Sequence, residues 1–124
     1  GAKKYANWAR LNNVHHWVAL ESDGGAGVPR GFGVGASDEW VEKVKALKPY
    51  FVPYGLHEFA KGGGGADLSP LRGYDKVFIG FRPDSQRYFD FHHSARDRID
   101  AIHPRSLEMG SASIAALFYL LDTY

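Results

Sequence analysis

Apolar side chains recur every three to four residues in three parts of the chain. These parts are residues 2–11, the segment between Ser37 and Pro49, and the stretch from Pro104 to the C-terminus. This spacing is typical of helices that bury one face. Ser37 is a favourable residue for a helix N-cap, and Pro104 suits the first turn of a helix. The pattern therefore predicts three helices.

Three continuous apolar runs have the length of strands buried on both faces: residues 15–20, 77–81 and 88–91. No strand is assigned to the glycine-rich residues 24–35, and residues 50–59 are predicted as loop and short strand. Strands that alternate with helices predict an α/β sandwich whose polar strand ends hold any active site. Because about three strands are few for such a sheet, the chain is expected to be part of a larger domain.

Length and composition predict one globular unit spanning residues 1–124. A mass of 13.8 kDa corresponds to a folded surface of roughly 6,600 Å², which allows one core. Hydrophobic residues make up 44% of the chain and aromatic residues 15%. These values exclude a disordered chain, a coiled coil and a collagen-like repeat.

The charge pattern gives no support for polyanionic partners. The formal net charge is +1, and neither sign forms a run of five. Nucleic acid and membrane surfaces are therefore not predicted as partners. The chain has no cysteine, which excludes disulfides, thiolate metal sites and thiol catalysis.

Two polar corners follow predicted strands and carry the candidate chemistry. Residues 21–23 (Glu-Ser-Asp) follow the first strand, and His92 and His93 follow the third. A carboxylate and an imidazole at strand ends are ligands that zinc accepts. The structural alternatives are that Asp23 caps its own turn and that the histidines are one buried and one solvated ring.

Other motifs give weaker signals. His15 and His16 are interpreted as strand-edge residues, because neighbours on a strand point to opposite faces and cannot chelate one ion. The glycines at 62–65 lack the Lys-Ser/Thr pair of a phosphate-binding loop and are predicted as a flexible loop. No serine lies in a G-x-S-x-G motif, so a serine hydrolase has no support.

Three motifs in consistent order resemble one peptidase family. They are Glu-Ser-Asp at 21–23 with the following glycine-rich segment, residues 64–71 (GGADLSPL), and residues 87–94 (RYFDFHHS). Together they resemble the M28 zinc exopeptidases, and within them the carboxypeptidase Q-like branch. Residues 1–6 also resemble the helix that follows the catalytic Glu-Glu pair of that family.

The resemblance implies a fold, a cofactor and roles for five residues. It implies the C-terminal part of a mixed-sheet α/β/α sandwich and a site of two zinc ions that hydrolyses peptides or dipeptides. Asp23 and His93 match metal ligands, and whether they bind one ion or two is open. His92 takes the position of an oxyanion-stabilising side chain, Tyr88 lines the substrate pocket, and Asp97 orients the ligand histidine.

The resemblance also predicts what residues 1–124 lack. The first histidine of the family, its bridging aspartate and its two glutamates have no equivalent here. The chain is therefore expected to be a C-terminal segment of the catalytic domain that is inactive alone. It is expected to pair with the missing N-terminal half or with itself. The family suggests a secreted or periplasmic location.

Two features leave the function open between alternatives. Arg98 stands where the family has a small residue, and Lys61 stands where some relatives have histidine, so substrate preference and the choice between amino- and carboxypeptidase remain open. The alternative to an exopeptidase segment is a non-catalytic binding or interaction module that keeps the peptidase fold.

Overall fold

Four strands and five α-helices form the part of the chain that the structure, a computed structural model, describes: residues 1–123. The helices are α1 (Ala2–Leu11), α2 (Asp38–Lys45), α3 (Lys48–Phe51), α4 (Tyr88–Phe91) and α5 (Pro104–Asp122). The strands are β1 (Ala19–Glu21), β2 (Pro29–Gly35), β3 (Glu58–Lys61) and β4 (Phe78–Pro83). Short 3-10 turns lie at Val52–Tyr54, Ser69–Leu71 and Ile99–Ala101.

The four strands form one mixed sheet in the order β1-β4-β2-β3. β1 is parallel to β4, β2 is parallel to β3, and the two pairs meet through the antiparallel contact of β2 with β4. The carboxyl ends of β1 and β4 therefore lie at the same end of the sheet. The segments that follow these two strands contain both polar corners of the sequence.

An aromatic and aliphatic core covers one face of the sheet. Phe32 of β2 is fully buried, and its ring centroid lies 5.7 to 5.8 Å from those of Phe51, Phe59 and Phe81. The buried side chains of α2 and α5 complete this core: Val41, Val44, Leu117 and Leu121. Burying a side chain of this size contributes about 1.5–3 kcal/mol, so this face supplies most of the stability.

The opposite face is covered by α1 and the loop before β4. Ala6 and Ala9 of α1 are completely buried against Leu71 and Phe78. Helices on both faces make the three-layer α/β arrangement, and the predicted fold class is confirmed. No helix within residues 1–123 is long and apolar enough to cross a bilayer.

The glycines of β2 bring polypeptide backbone into direct contact with this second face. A Cβ on Gly33 would lie 2.1 Å from the carbonyl oxygen of Gly62, and a Cβ on Gly63 would lie 2.1 Å from the carbonyl oxygen of Gly33. Arg82 of β4 donates a hydrogen bond to the same Gly62 carbonyl at 3.1 Å. The glycine run 62–65 is therefore packed on the sheet, whereas the sequence predicted a flexible loop.

Three strand predictions need correction. β1 begins only at Ala19, because residues 15–18 form a connection that Asp75 ties down through His16. The run at 88–91 is a one-turn helix rather than a strand, and Phe89 is 84% exposed because the chain has left the sheet after Pro83. The central strand β2 lies within the glycine-rich stretch to which no strand was assigned.

We expect Gly33→Ala to destabilise the fold by about 1–3 kcal/mol, the usual cost of overpacking. Its methyl group would collide with backbone that cannot retreat without breaking the contact of β2 with residues 62–65. Gly80→Ala is the matched control, because Gly80 pairs with Gly33 across the sheet and its Cβ would meet no atom closer than 3.3 Å. Urea unfolding of both variants measures the difference, and equal losses would contradict this packing.

Candidate functional site

The carboxyl ends of β1 and β4 are held side by side by the chain that follows β1. Asp23 lies two residues beyond β1, and a Cβ on Gly24 would contact the ring of Pro83 at 3.3 Å. Four residues later, the N–H of Asp84 donates to the carbonyl of Val28 at 2.7 Å. The segment 23–28 therefore runs along the end of β4 and into β2.

Arg30 and Asp84 form an ion pair at this end of the sheet that the sequence did not predict. Arg30 near the start of β2 donates to the Asp84 carboxylate at 2.9 Å. The backbone N–H of Gln86 donates to the other oxygen of Asp84 at 2.9 Å, and together with the Arg30 guanidinium it lowers the pKa of this carboxyl group below 3.8. Arg30 and Asp84 are 54 residues apart, so no local motif could reveal the pair.

The two histidines lie at the end of the one-turn helix α4. The His92 ring stacks on Tyr88 at 4.7 Å between centroids and on His93 at 3.9 Å. Tyr88 is half-buried, and both imidazoles are exposed. The sequence-predicted Tyr88, His92 and His93 thus form one aromatic stack on the segment that follows β4.

His93 has an unusual backbone conformation. Its φ is +50°, and it stands directly after the C-cap residue of α4, a position that glycine usually occupies. Ser94 donates its N–H to the carbonyl of Phe91 at 3.0 Å and closes the turn. Glycine is favoured in this conformation, and histidine is among the few other residue types that adopt it comparatively often.

Asp23 and His93 have donor atoms that are free to bind a ligand. Both side chains are exposed, and neither forms a hydrogen bond or ion pair within residues 1–123. Asp97 is exposed too, and its carboxylate forms no bond to His93 in this part of the chain. A carboxylate and an imidazole fit zinc by type, but catalytic zinc sites use about three protein ligands. No group of three histidine or acidic side chains that could hold a metal lies within residues 1–123.

Glu21 has a structural role in the first polar corner. Its carboxylate accepts hydrogen bonds from the N–H groups of Gly65 at 3.0 Å and Leu68 at 3.2 Å. These bonds fix the end of the glycine run over β1. Of the two acidic residues in the Glu-Ser-Asp corner, Asp23 is therefore the one that remains available.

A small cavity adjoins this corner on the side of α5. Its volume is about 80 Å³, and its walls include Ser22, Gly27, Phe81, Leu107 and Ile114. The walls are mainly apolar and the space is that of one small side chain. Ser22, the residue before Asp23 in the chain, forms part of its wall.

The interpretation of His15 and His16 as strand-edge residues pointing apart is wrong. Both imidazoles face the buried carboxylate of Asp75, with Nδ1 of His16 at 2.6 Å and Nδ1 of His15 at 3.7 Å. The residues precede β1 and belong to no strand, so the alternation of a paired strand does not apply to them. This cluster lies at the amino ends of β1 and β4, opposite Asp23.

Comparisons with known proteins agree with the fold and with the order of the motifs. No family model matches the sequence. Carboxypeptidase Q of Bos taurus is 23% identical to this chain over 121 residues, and carboxypeptidase Q of Mus musculus is 24% identical over the same length. Each of these matches covers 98% of this chain and 26% of the relative. A peptidase M28 precursor from Shewanella amazonensis superposes with a TM-score of 0.80 at 30% identity, over 95% of this chain and 27% of that structure. The chain is similar to M28 peptidases in sequence and in fold.

This relationship confirms the resemblance that the motifs indicated. The relatives are named as peptidases, and the chain spans about a quarter of the length of those it matches. The same mixed α/β fold extends over nearly all of the chain.

We expect the Arg30–Asp84 pair to stabilise the fold in a pH-dependent way. Because folding lowers the pKa of Asp84, its contribution is complete above pH 3.8 and is lost as the pH falls through the lower folded value. Asp84→Asn should therefore unfold at a lower temperature than the parent at pH 7, and this difference should become smaller as the pH falls from 3.8 to 2. Thermal unfolding across these pH values tests this, and an equal difference at all of them would contradict it.

Proposed function

We propose that this chain supplies part of the catalytic domain of a zinc-dependent M28-type exopeptidase. One observation carries the proposal: nearly the whole chain shares the fold of a peptidase M28 precursor, with Asp23 and His93 uncommitted beyond two neighbouring parallel strands. The activity proposed is hydrolysis of a terminal peptide bond or of a dipeptide.

Asp23 and His93 are the residues that would hold the metal. Zinc, when bound, supplies Lewis acidity that polarises a carbonyl group and makes water nucleophilic near neutral pH. Two protein ligands are fewer than such a site requires, so the remaining ligands and the carboxylate base would come from polypeptide outside residues 1–124. This division of the ligands explains why the chain is expected to be inactive alone.

Three neighbouring side chains would act on the substrate or on the ligands. The exposed ring of His92 can donate a hydrogen bond to the carbonyl oxygen on which negative charge develops. Tyr88 stacks on His92 and would hold that ring in place as a wall of the substrate pocket. Asp97, four residues after His93, would accept the second N–H of the ligand imidazole.

The amount of exposed surface favours a partner that covers part of the chain. The folded chain exposes 8005 Å², about 1,400 Å² more than the roughly 6,600 Å² expected for its mass. Much of residues 85–103 is exposed, including the side chains of Phe89 and Ile99, and β1 is an edge strand. We propose that the remainder of an M28 catalytic domain packs there, with self-association as the competing outcome.

The alternative function is a binding or interaction module that keeps the peptidase fold without the chemistry. The absence of a three-ligand cluster from residues 1–123 is the observation that favours it. The two functions differ in whether Asp23 and His93 bind zinc at all. An exported location is part of the peptidase proposal and rests on the relationship alone.

We expect His93→Gly to separate the stability of the turn from its function. Glycine accepts the positive φ of position 93, so the free energy of unfolding should stay the same or rise by up to about 1 kcal/mol. Zinc binding by residues 1–124, weak in the parent chain, should be lost. Isothermal titration with zinc and urea unfolding give the two readouts. A large loss of stability would mean that the histidine has a structural role, and unchanged zinc binding would exclude it as a ligand.

In the product of the complete reading frame, we expect Asp23→Ala and His93→Ala to reduce peptidase activity more than about a hundredfold. Residues that only support metal ligands already contribute about ten- to a hundredfold. Asp122→Ala is the control, because it removes an exposed carboxylate at the far end of α5. A chelator should abolish the activity and added zinc should restore it. Full turnover in either ligand variant would overturn the proposal, whereas a product without any activity but with intact zinc binding would favour the module.

A further inference from the structure

A second polar cluster lies at the opposite end of the sheet from Asp23. Asp75 precedes β4, His16 precedes β1, and Tyr5 lies on α1, which packs on the adjacent face. Nδ1 of His16 lies 2.6 Å from Oδ2 of Asp75, and Nε2 of His16 lies 2.7 Å from the phenolic oxygen of Tyr5. The three side chains form a continuous chain of hydrogen bonds from a buried carboxylate to a half-exposed phenol.

The carboxylate determines the direction of both hydrogen bonds. The Asp75 side chain is only 1% exposed, and it also accepts the backbone N–H of His16 at 2.9 Å. An ionised carboxylate can only accept, so Nδ1 of His16 carries the proton that faces it. In the neutral ring Nε2 is then the acceptor, and Tyr5 donates its O–H to it. His16 is thereby placed as a general base on the phenol of Tyr5.

The surroundings leave the phenol and the imidazole accessible. Tyr5 is 48% exposed, and its ring packs against that of Trp8 with 5.7 Å between the ring centroids. On its other side, the His16 ring forms part of the wall of an open groove of about 270 Å³ together with Trp17 and Phe118. His15 stacks on Tyr74 at 4.3 Å and closes the cluster behind Asp75. A small electrophile can therefore reach the phenolic oxygen.

We propose that Tyr5 is a nucleophilic acyl-acceptor site, activated by His16 and Asp75, that takes an acyl group from an activated donor such as an N-acylimidazole. The phenolic oxygen of Tyr5 forms a bond to the acyl carbon while its proton moves to Nε2 of His16. Asp75 stabilises the resulting imidazolium. The bond from the acyl carbon to the leaving nitrogen breaks, and that nitrogen takes the proton from His16. The products are O-acyl-Tyr5 and free imidazole.

The other tyrosines provide an internal standard for the test. Tyr50, Tyr54 and Tyr119 are more exposed than Tyr5, at 63%, 66% and 73%. None of their hydroxyl groups forms a hydrogen bond within residues 1–123. If exposure alone controls acylation, these three tyrosines react before Tyr5. If the imidazole acts as a base, Tyr5 reacts first.

The experiment is a time course of N-acetylimidazole on residues 1–124, with peptide mapping by mass spectrometry of each tyrosine. Tyr5 should be acetylated faster than Tyr119 by on the order of a hundredfold, the lower end of what a positioned general base contributes. Hydroxylamine should remove the group, which distinguishes a phenolic ester from acetyl-lysine at Lys3 or Lys4. Acetylation of Tyr5 that is no faster than that of Tyr119 would overturn the proposal.

Two variants separate activation from structure. In His16→Gln and in Asp75→Asn, the Tyr5 rate should fall to that of the exposed tyrosines, while the rates of Tyr50, Tyr54 and Tyr119 stay as in the parent. Because the exposed reference tyrosines would react alike in a folded and an unfolded chain, urea unfolding of each variant shows separately that the fold is intact. A Tyr5 rate that remains high in His16→Gln with unchanged reference rates would refute the role of the imidazole.

Discussion

The close approach of residues 62–65 to β2 is the contact on which the rest of the arrangement depends. It requires glycine on both sides, because a Cβ on Gly33 or on Gly63 would lie 2.1 Å from a carbonyl oxygen of the other segment. With the glycine run in place, the N–H groups of Gly65 and Leu68 reach the Glu21 carboxylate at the end of β1. One backbone contact thus couples the central strand to the edge strand and determines where the chain leaves β1 towards Asp23.

This constraint also explains which strands could be predicted from the sequence. The apolar run that ends at Phe81 forms most of β4, and its large side chains lie on both packed faces, with Ile79 and Phe81 on one and Phe78 on the other. β2 is equally buried, but one of its faces consists of Gly31, Gly33 and Gly35 and is filled by backbone rather than side chains. Hydrophobic periodicity records buried side chains, so it does not detect a strand buried against main chain. Residues 88–91 are the converse case: the apolar run predicts a buried strand, but it forms a one-turn helix in which no residue is fully buried.

The polar residues of the chain also divide into those that a local sequence motif reveals and those that only tertiary packing brings together. Asp23, His92 and His93 can be predicted from the sequence because each lies in a short motif whose residue types suit metal chemistry. The Tyr5–His16–Asp75 cluster joins three distant positions, and its hydrogen bonds follow from the parallel pairing of β1 with β4 and from the packing of α1. Neither the pairing partner of β1 nor the face that α1 covers can be read from periodicity.

The parallel pairing of β1 and β4 places Asp75 and His16 before the amino ends of these strands and Asp23 beyond the carboxyl end of β1, and the polar side chains at the two ends differ in how far their hydrogen bonding is satisfied. At the amino ends, both oxygens of Asp75 accept hydrogen bonds and His16 uses both ring nitrogens. At the carboxyl ends, Asp23 and His93 have no polar partner within residues 1–123, and His93 retains a backbone conformation that favours glycine. All buried polar side chains that the structure describes have hydrogen-bond partners. Polar atoms without a protein partner therefore occur only where water can reach them. The hydrogen bonding of the amino-end cluster is therefore complete within residues 1–123, whereas the side chains of Asp23 and His93 remain exposed and unpaired there.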